Sequence, residues 1–301
     1  MTRQLTLTTE AVRRYYEQNT RLFLSLGSSP ATQTIHRSVW AEGVNSLETA
    51  LNYTNGLILD QIVHLIERDS LSHLFFMDLG CGVGGSLFYL LQRLNMPLTA
   101  LGLTLSPLQA RLARRHAARL NLLHACSFVE GDFLAVPARG GADIAYSVEA
   151  FVHAASAEGY FAQVARLLRP GGRLILADDF RGTPLSSLHF ARTSARNGGT
   201  DGGFDWLEAF QQGWHAPNLI ALAQAESLAR DCGLRLIANH HLTPHLRLRA
   251  LPDSFAAWLL SIGRRLPWSH AIVPSMIGSM ALQQCLKMGL IEYRCLMFEK
   301  D

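Results

Sequence analysis

Short apolar runs alternate with amphipathic stretches in the middle of this sequence, between residues 74 and 180. The runs are continuously apolar, which is typical of strands in a sheet that is buried on both faces. We interpret five of them as strands, at residues 74–79, 98–103, 127–130, 142–147 and 173–178. Helices are predicted between the strands at residues 86–94, 107–120 and 155–168. This strict alternation predicts right-handed crossovers and a doubly wound, mainly parallel α/β sheet.

Helical patterns precede this alternating region. Residues 9–25 have the periodicity of an amphipathic helix, and residues 44–69 carry apolar side chains at roughly helical spacing. We therefore predict a helical N-terminal cap over residues 1–70, followed by a core domain over residues 71–301.

The alternation breaks after the fifth strand. Residues 181–216 are rich in Gly, Ser and aromatic side chains, and residues 252–288 again have a helical pattern. Because a loop of this length is uncommon in a compact domain, we predict that both segments are helical insertions that form a lid over a site. A helix at 218–231 and strands from 234 and over 290–298 complete the predicted sheet.

The composition is that of a folded protein with few charges. Of the 301 residues, 49% are hydrophobic and 17% are charged, and a chain of this length can bury a substantial core. Disorder is excluded, because low hydrophobicity and high net charge are both missing. The net charge of +3 is weak for a nucleic-acid binder, and no run of Lys or Arg exceeds two residues. We therefore expect no nucleic-acid partner.

Cysteine usage and the apolar runs bear on the cellular compartment. The five cysteines are scattered without a CxxC pair, which argues against a disulfide framework or a zinc cluster. The N-terminus has no charged segment followed by an apolar stretch, so we expect no signal peptide. No uncharged apolar run reaches the roughly 20 residues that span a bilayer. These features predict a soluble, cytoplasmic protein without a membrane span.

A glycine-rich segment lies between the first predicted strand and the helix after it. It reads Met77-Asp-Leu-Gly-Cys-Gly-Val-Gly-Gly85, and Gly80 and Gly82 allow the backbone to turn tightly and to approach a ligand closely. A turn of this kind also fits a dinucleotide. Here, however, the acidic residue precedes the glycines, the spacing is Asp-x-Gly-x-Gly, and no Walker lysine follows.

With this motif, residues 74–180 resemble the class I S-adenosylmethionine-dependent methyltransferases. Glu130-Gly-Asp132-Phe133 and Leu168-Arg-Pro-Gly-Gly172 follow in the order of that family. The resemblance implies a Rossmann-like, seven-stranded sheet and S-adenosylmethionine as the cofactor. It places Asp78, Gly80 and Gly82 against the methionine part of the cofactor and Asp132 at the adenine amino group. Phe133 and Tyr16 are assigned to the same cofactor site.

The end of the second strand departs from the commonest family pattern. Many members have Asp or Glu there to bind the ribose hydroxyls, whereas this chain has Thr104, whose hydroxyl forms weaker hydrogen bonds than a carboxylate. The segment from Gly102 to Gln109 reads Gly-x-Thr-Leu-Ser-x-x-Gln. In this form it is similar to the subset that acts on isoprenoid or lipid double bonds, including geranyl diphosphate and sterol C-methyltransferases and cyclopropane fatty acid synthases. We assign Thr104 and Gln109 to the cofactor site.

The segment after the fourth strand contains candidate catalytic residues, because ligands bind at the carboxyl ends of parallel strands. Glu149-Ala-Phe-Val-His153-Ala is similar to an arrangement in sterol C-methyltransferases. An alkene that attacks a sulfonium methyl becomes a carbocation, which must be stabilised and then lose a proton. Glu149 is the candidate for either task, and His153 is its helper. Alternatively, Glu149 caps the next helix or pairs with an arginine.

The acceptor itself is not named by any motif. Aromatic residues of the predicted lid either stabilise a cation or simply pack together, and these are Phe190, Phe204, Trp206, Phe210 and Trp214. A diphosphate acceptor would need arginines and would make Mg²⁺ a possible cofactor. The available arginines are Arg13, Arg14, Arg21, Arg37, Arg192, Arg196, Arg247 and Arg249. His240, His241 and His245 lack a partner carboxylate at ligand spacing, so we predict no metal site. A prenylated aromatic acceptor, as in teleocidin-type enzymes, fits the lid equally well.

The resemblance therefore predicts a C-methyltransferase that adds a methyl group to an alkene carbon of an isoprenoid or prenylated natural-product intermediate. The main alternative is an O- or N-methyltransferase of a small apolar metabolite. A third alternative is a cofactor-binding protein or regulatory subunit without catalysis. We expect a small apolar acceptor as the partner, and a homo-oligomer remains open.

Overall fold

The computed structural model describes residues 8–26, 36–136, 140–182, 205–248 and 272–301. Within these ranges, seven strands form one sheet in the order β3-β2-β1-β4-β5-β7-β6. The strands are β1 (Leu74–Leu79), β2 (Leu98–Thr104), β3 (Cys126–Glu130), β4 (Ala142–Val148), β5 (Leu168–Arg181), β6 (Leu234–His241) and β7 (Ile291–Lys300). Strands β1 to β5 pair in parallel, and β7 runs antiparallel to both β5 and β6. The predicted seven-stranded α/β sheet is confirmed.

Helices cover this sheet and connect its strands. They are α1 (Thr9–Leu26), α2 (Leu47–Leu51), α3 (Tyr53–Asp69), α4 (Gly85–Leu91), α5 (Pro107–Arg119), α6 (Ala157–Leu167), α7 (Trp206–Trp214), α8 (Leu222–Asp231) and α9 (Ile272–Lys287). Short 3-10 turns occur at Phe133–Ala135, Phe151–His153 and Thr243–His245. In the described ranges, no helix is both long enough and apolar enough to cross a bilayer.

Burial on both faces of the sheet explains why the strands are continuously apolar. In β1, Phe76 packs into one hydrophobic cluster and its neighbour Met77 packs into another. Because successive side chains of a strand point to opposite faces, the two clusters lie on opposite sides of the sheet. The first six residues of β4 are all buried. A strand with one polar face would therefore leave unpaired polar groups inside one of the two cores.

The predicted N-terminal cap joins this core through α3. The predicted helix over 44–69 is interrupted at Asn52, which ends α2 and precedes α3. Ile58 and Ile62 of α3 are fully buried in the cluster that also contains Phe76. This helix is thus part of the core of the sheet, while the domain boundary at residue 70 stays a prediction.

The predicted insertions contain α7 and α9, which pack closely against each other. A Cβ atom on Gly213 of α7 would lie 2.6 Å from the backbone of Gly278 of α9, so only glycine allows this approach. Trp206 packs against the core, and Phe210 is buried within it. The other parts of the two insertions, including Phe190 and Phe204, lie outside the described residues.

Candidate active site

A cavity of about 370 Å³ opens at the carboxyl ends of the central parallel strands, beneath α1. Its volume is within the range of small-molecule sites. Nine of the ten predicted site residues line it, namely Tyr16, Asp78, Gly80, Gly82, Thr104, Gln109, Phe133, Glu149 and His153. Folding therefore brings together residues that are up to 137 positions apart in the sequence.

The two glycines of the turn after β1 have different tasks. A Cβ atom on Gly80 would lie 2.3 Å from Cβ of Ala150. Only glycine therefore allows the turn after β1 to lie this close to the turn after β4. A Cβ atom on Gly82 would meet no protein atom within 4 Å. Both residues have positive φ, which favours glycine. Gly80 thus allows the two turns to pack closely against each other, and Gly82 leaves space for a ligand at the cavity wall.

Asp78, at the end of β1, carries a buried oxygen without a partner. Its side chain lines the cavity and the residue is 3% exposed, while Oδ2 has no hydrogen-bond partner among the described residues. Burial raises the pKa of this carboxyl to about 7, against a smaller lowering by the nearby Tyr146 hydroxyl, which itself forms no regular hydrogen bond among the described residues. A ligand that presents a positive charge would supply the missing partner. S-adenosylmethionine carries an ammonium and a sulfonium group, so this site fits the predicted cofactor.

Thr104 and Gln109 are connected to the covering helix α1. The Thr104 hydroxyl donates to Oε1 of Gln109 at 2.7 Å, and the Gln109 amide donates to the Thr20 hydroxyl at 3.1 Å. The Ser106 hydroxyl caps α5 by accepting the backbone N–H of Gln109. This hydrogen bond fixes the backbone of Gln109 at the cavity. The Thr104 donor is thus already used, and its oxygen also accepts the backbone N–H of Ser106 at 3.3 Å, so one lone pair remains to accept from a ribose hydroxyl. That contact stays a prediction.

Asp132 is the one predicted site residue outside the cavity lining. Its Oδ1 accepts the backbone N–H of Leu134 at 2.9 Å, and its Oδ2 lies 3.4 Å from the Thr9 hydroxyl of α1. Asp132 therefore caps the 3-10 turn that places Phe133 at the cavity and also holds the start of α1. Its predicted contact with the adenine amino group stays a prediction.

Glu149 occupies a strained turn directly after β4. Its φ of +51° is in the left-handed region, which a side chain other than glycine adopts at a cost of about 1–2 kcal/mol. Its N–H donates to the carbonyl of Ala177 at 2.8 Å, which holds the turn against β5. The carboxylate Oε1 accepts the backbone N–H of Arg37 at 2.8 Å. Strain that persists at a cavity wall is typical of functional sites.

His153 and Tyr16 form a hydrogen-bonded pair at the cavity. Nδ1 of His153 lies 3.0 Å from the carbonyl of His215, which can only accept, so Nδ1 carries the proton. Nε2 therefore accepts from the Tyr16 hydroxyl at 2.7 Å. Burial lowers the pKa of His153 to about 4 and raises that of Tyr16, so both groups are neutral at pH 7.

Three charged residues at this site were not among the predicted site residues, although Arg37 was one of several arginines considered for a diphosphate. Asp178 and Asp179, at the end of β5, line the cavity beside Glu149, and Arg37 faces them from the N-terminal segment. Burial, together with Asp179, raises the pKa of Asp178 to about 8. Both oxygens of Asp178 accept backbone N–H groups, from Val152 and Asp179. The rule that selected Glu149, a position at the carboxyl end of a parallel strand, also selects Asp178 and Asp179.

Aromatic side chains also line the cavity. Trp214 of α7 lines the cavity, and its indole N–H is 3.2 Å from the hydroxyl of Ser279 on α9. Tyr15 lines the cavity as well, and its hydroxyl oxygen lies 3.1 Å from the hydroxyl oxygen of Ser275. Of the predicted lid aromatics in the described ranges, Trp214 is the one in the cavity wall.

Arginines that were considered for a diphosphate have other contacts where the structure describes their side chains. Arg37 binds Asp179, and Arg247 stacks over the Trp40 ring, with its guanidinium carbon 3.3 Å from the ring centroid. Arg249 lies outside the described residues. Within the described part of the chain, no group of three or more His, Cys, Asp or Glu residues is arranged to hold a metal ion.

Comparison with known proteins identifies the domain. Residues 76–172 match the family described as "Methyltransferase domain". The 24-methylenesterol C-methyltransferase 2 of Oryza sativa subsp. japonica is 27% identical over 199 residues, which cover 65% of this chain and 49% of that enzyme. An O-methyltransferase of Pyrenophora dematioidea is 26% identical over 214 residues, covering 71% of this chain and 72% of that protein. A solved structure of geranyl diphosphate methyltransferase, in complex with GPP and sinefungin, has a TM-score of 0.69 and 19% identity, covering 97% of this chain and 98% of that one.

Residues 76–172 therefore carry a methyltransferase domain, and the whole chain is similar in fold to the class I S-adenosylmethionine-dependent methyltransferases. Within that class it resembles the sterol and prenyl C-methyltransferases. It spans about half the length of the plant sterol methyltransferases that it matches. The similarity to the solved structure, at 19% identity, establishes the fold.

Proposed function

We propose that the protein transfers the methyl group of S-adenosylmethionine to an alkene carbon of a neutral isoprenoid or prenylated acceptor. The observation that carries this proposal is the charge balance of the cavity. Its described lining contains four carboxyl groups, those of Asp78, Glu149, Asp178 and Asp179, and one guanidinium, that of Arg37. Arg37 pairs with Asp179, the raised pKa of Asp178 favours its neutral form at pH 7, and Asp78 is assigned to the cofactor, so the Glu149 carboxylate is left to stabilise a positive charge that develops on the acceptor.

When bound, S-adenosylmethionine supplies an electrophilic methyl group, and Asp78, Gly80 and Gly82 would hold its methionine end. The alkene electrons form the new carbon–carbon bond, the sulfur–methyl bond breaks, and a carbocation remains on the acceptor. Glu149 faces this cation from the strained turn after β4. At about 4 Å and an effective dielectric constant of about 20, one carboxylate stabilises a unit positive charge by about 4 kcal/mol.

The Tyr16–His153 pair is suited to take the proton that the cation must lose. The Tyr16 hydroxyl donates to Nε2 of His153, so its oxygen lone pairs are free to accept a proton while its own proton passes to the imidazole. A carbocation is a very strong acid, so a neutral imidazole with a pKa of about 4 is basic enough. Loss of this proton restores a double bond and leaves the acceptor neutral.

A neutral acceptor fits the described lining better than a diphosphate does. The guanidinium of Arg37 is already bound by both oxygens of Asp179. An added anion would therefore face the Glu149 carboxylate. The described cavity wall contains no second arginine or lysine that could bind the anion. The sterol C-methyltransferase relatives are consistent with this preference.

The Tyr16–His153 pair also supports a second candidate function. The same pair would accept the proton of an acceptor hydroxyl and so promote O-methylation. The matched relative from Pyrenophora dematioidea is an O-methyltransferase. In this reaction no carbocation forms, so Glu149 would have no charge to stabilise.

A labelled-methyl assay separates the two functions. Purified protein receives labelled S-adenosylmethionine together with neutral prenyl alcohols, prenylated indoles, prenyl diphosphates or simple phenols, each with and without Mg²⁺. We expect label on the neutral prenyl compounds without Mg²⁺. Transfer to phenols alone would contradict the proposal and support O-methylation, while transfer to diphosphates with Mg²⁺ would contradict the neutral acceptor.

A matched pair of variants tests the role of Glu149. Glu149→Gln should lower kcat by about 100- to 1000-fold, as expected when one preorganised stabilising group is lost. Glu158→Gln removes an exposed glutamate from the first turn of α6 and should leave kcat unchanged. Unchanged turnover in Glu149→Gln would show that this carboxylate does not stabilise the cation.

A further inference from the structure

Arg37 belongs to an N-terminal segment that is fixed to the core by backbone hydrogen bonds. The N–H of Val39 donates to the carbonyl of Ala50 at 2.9 Å, and that of Trp40 donates to the carbonyl of His245 at 2.7 Å. Val39 also forms an isolated antiparallel bridge with Leu246, the residue after the 3-10 turn that follows β6. Arg37 therefore reaches the cavity from a defined backbone position.

Arg37 contacts two carboxylates with different parts of the residue. Its backbone N–H donates to Oε1 of Glu149 at 2.8 Å, and its guanidinium donates to both oxygens of Asp179, at 2.7 and 2.5 Å. The guanidinium also lies over the Tyr293 ring at 4.6 Å and near the Trp214 ring at 5.9 Å. The forked pair with Asp179 and the two rings hold the side chain, so they also hold the backbone that binds Glu149.

Glu149 is held on one side only. Among the described residues, hydrogen bonds reach Oε1 of its carboxylate and none reaches Oε2. The guanidinium Nε is 3.9 Å from Oε1, which adds an electrostatic attraction on the same side. Because one oxygen is fixed and the other is free at the cavity wall, the carboxylate has a defined direction.

We propose that Arg37 is a positioning residue for the methyl transfer, which aims the Glu149 carboxylate at the cationic carbon through its backbone N–H while Asp179 anchors its side chain. This inference rests on the proposed function of Glu149. Arg37 itself touches neither the acceptor nor the cofactor in this role. Arg37 and Asp179 then act as one unit, so that losing either has the effect of losing both.

Three variants test this unit by steady-state kinetics with a prenyl acceptor. Arg37→Gln, Asp179→Asn and the double variant should each lower kcat by about 10- to 100-fold, which is the usual effect of a displacement of about 1 Å in a catalytic group. KM for the acceptor should stay nearly constant. The fraction of isomeric or water-captured products should rise equally in all three, because a misdirected carboxylate no longer controls the cation.

Stability measurements separate positioning from a structural role. Each single variant leaves a buried Asp179 or a partly buried Arg37 unpaired and should lower the Tm, whereas the double variant removes both charges and should regain part of that loss. Arg173 is a matched control, because it is buried and pairs with Glu299 at the opposite end of β5. Arg173→Gln should lower the Tm but leave kcat and the product pattern unchanged.

Recovery of kcat together with Tm in the double variant would overturn the proposal, since Arg37 would then only neutralise Asp179. The proposal would also be overturned if the fold loss of kcat in the double variant equalled the product of the two single losses, because the two residues would then act independently. Absence of methyl transfer by the wild-type protein to any alkene would refute the proposed function instead. The wild-type assay thus tests the reaction, and the comparison of variants tests the role of Arg37.

Discussion

The glycine turn after β1 offers a paired perturbation, because its two glycines have opposite surroundings. An alanine methyl at Gly80 would overlap Cβ of Ala150 at 2.3 Å, whereas at Gly82 it would meet no protein atom within 4 Å. Both residues have positive φ, +105° and +55° respectively, so alanine is strained at either position. Gly80→Ala therefore tests packing, and Gly82→Ala tests the space reserved for the cofactor.

The expected costs follow from these surroundings. Left-handed strain costs about 1–2 kcal/mol at either position. Gly80→Ala adds the cost of overpacking, about 1–3 kcal/mol, because the turn that carries Ala150 must move. At roughly 2–4 °C per kcal/mol, Gly80→Ala should lower the Tm by at least about 4 °C and by more than Gly82→Ala does.

Two measurements on each variant complete the test. Thermal unfolding without cofactor gives the Tm, and titration calorimetry gives the Kd of S-adenosylmethionine. Gly82→Ala should bind the cofactor at least about tenfold more weakly, a loss of about 1.4 kcal/mol, because its methyl group enters the cavity. A lower Tm for Gly82→Ala than for Gly80→Ala would refute the reasoning, and so would wild-type cofactor affinity in Gly82→Ala.

Three further predictions concern the cavity. Tyr16→Phe should lower kcat at least about tenfold, because His153 loses its relay, whereas Tyr89→Phe, outside the cavity lining, should not. The pH–rate profile should show no acid limb near pH 6.5, because the pKa of His153 is lowered to about 4 and its neutral form persists to about pH 5. Asp78 has a pKa raised to about 7, so its contribution to stability is present at low pH and is lost as the pH rises through 7. Asp78→Asn should therefore have a higher Tm than the wild type at pH 8 without cofactor, a similar Tm at pH 3, below the ordinary pKa of 3.8, and weaker S-adenosylmethionine binding by calorimetry.

The sheet was predictable because its signal is local. Continuous apolar runs place β1 and β4 within one or two residues of their observed bounds, since a strand buried on both faces tolerates few polar residues. The start of β5 was wrong: the prediction began at Arg173, but the strand begins at Leu168, because a register shift lets Leu168 pair with Ala142. Local sequence carries little information about such an irregularity in the pairing.

The cavity was only partly predictable because several of its polar contacts are non-local. Glu149 and His153 follow a strand end, which a sequence pattern identifies. Arg37 is 112 residues from Glu149 in the chain, and its position depends on the backbone bridge between Val39 and Leu246. No periodicity in the N-terminal segment distinguishes Arg37 from a surface arginine.

The position of the transferred methyl group tests the central claim most directly. A neutral prenyl acceptor is incubated with wild-type protein and S-adenosylmethionine labelled with carbon-13 in the methyl group, and the product is analysed by NMR. We expect the label to be bonded to a carbon of the former double bond and one acceptor hydrogen to be lost. A label bonded to oxygen or nitrogen would contradict it.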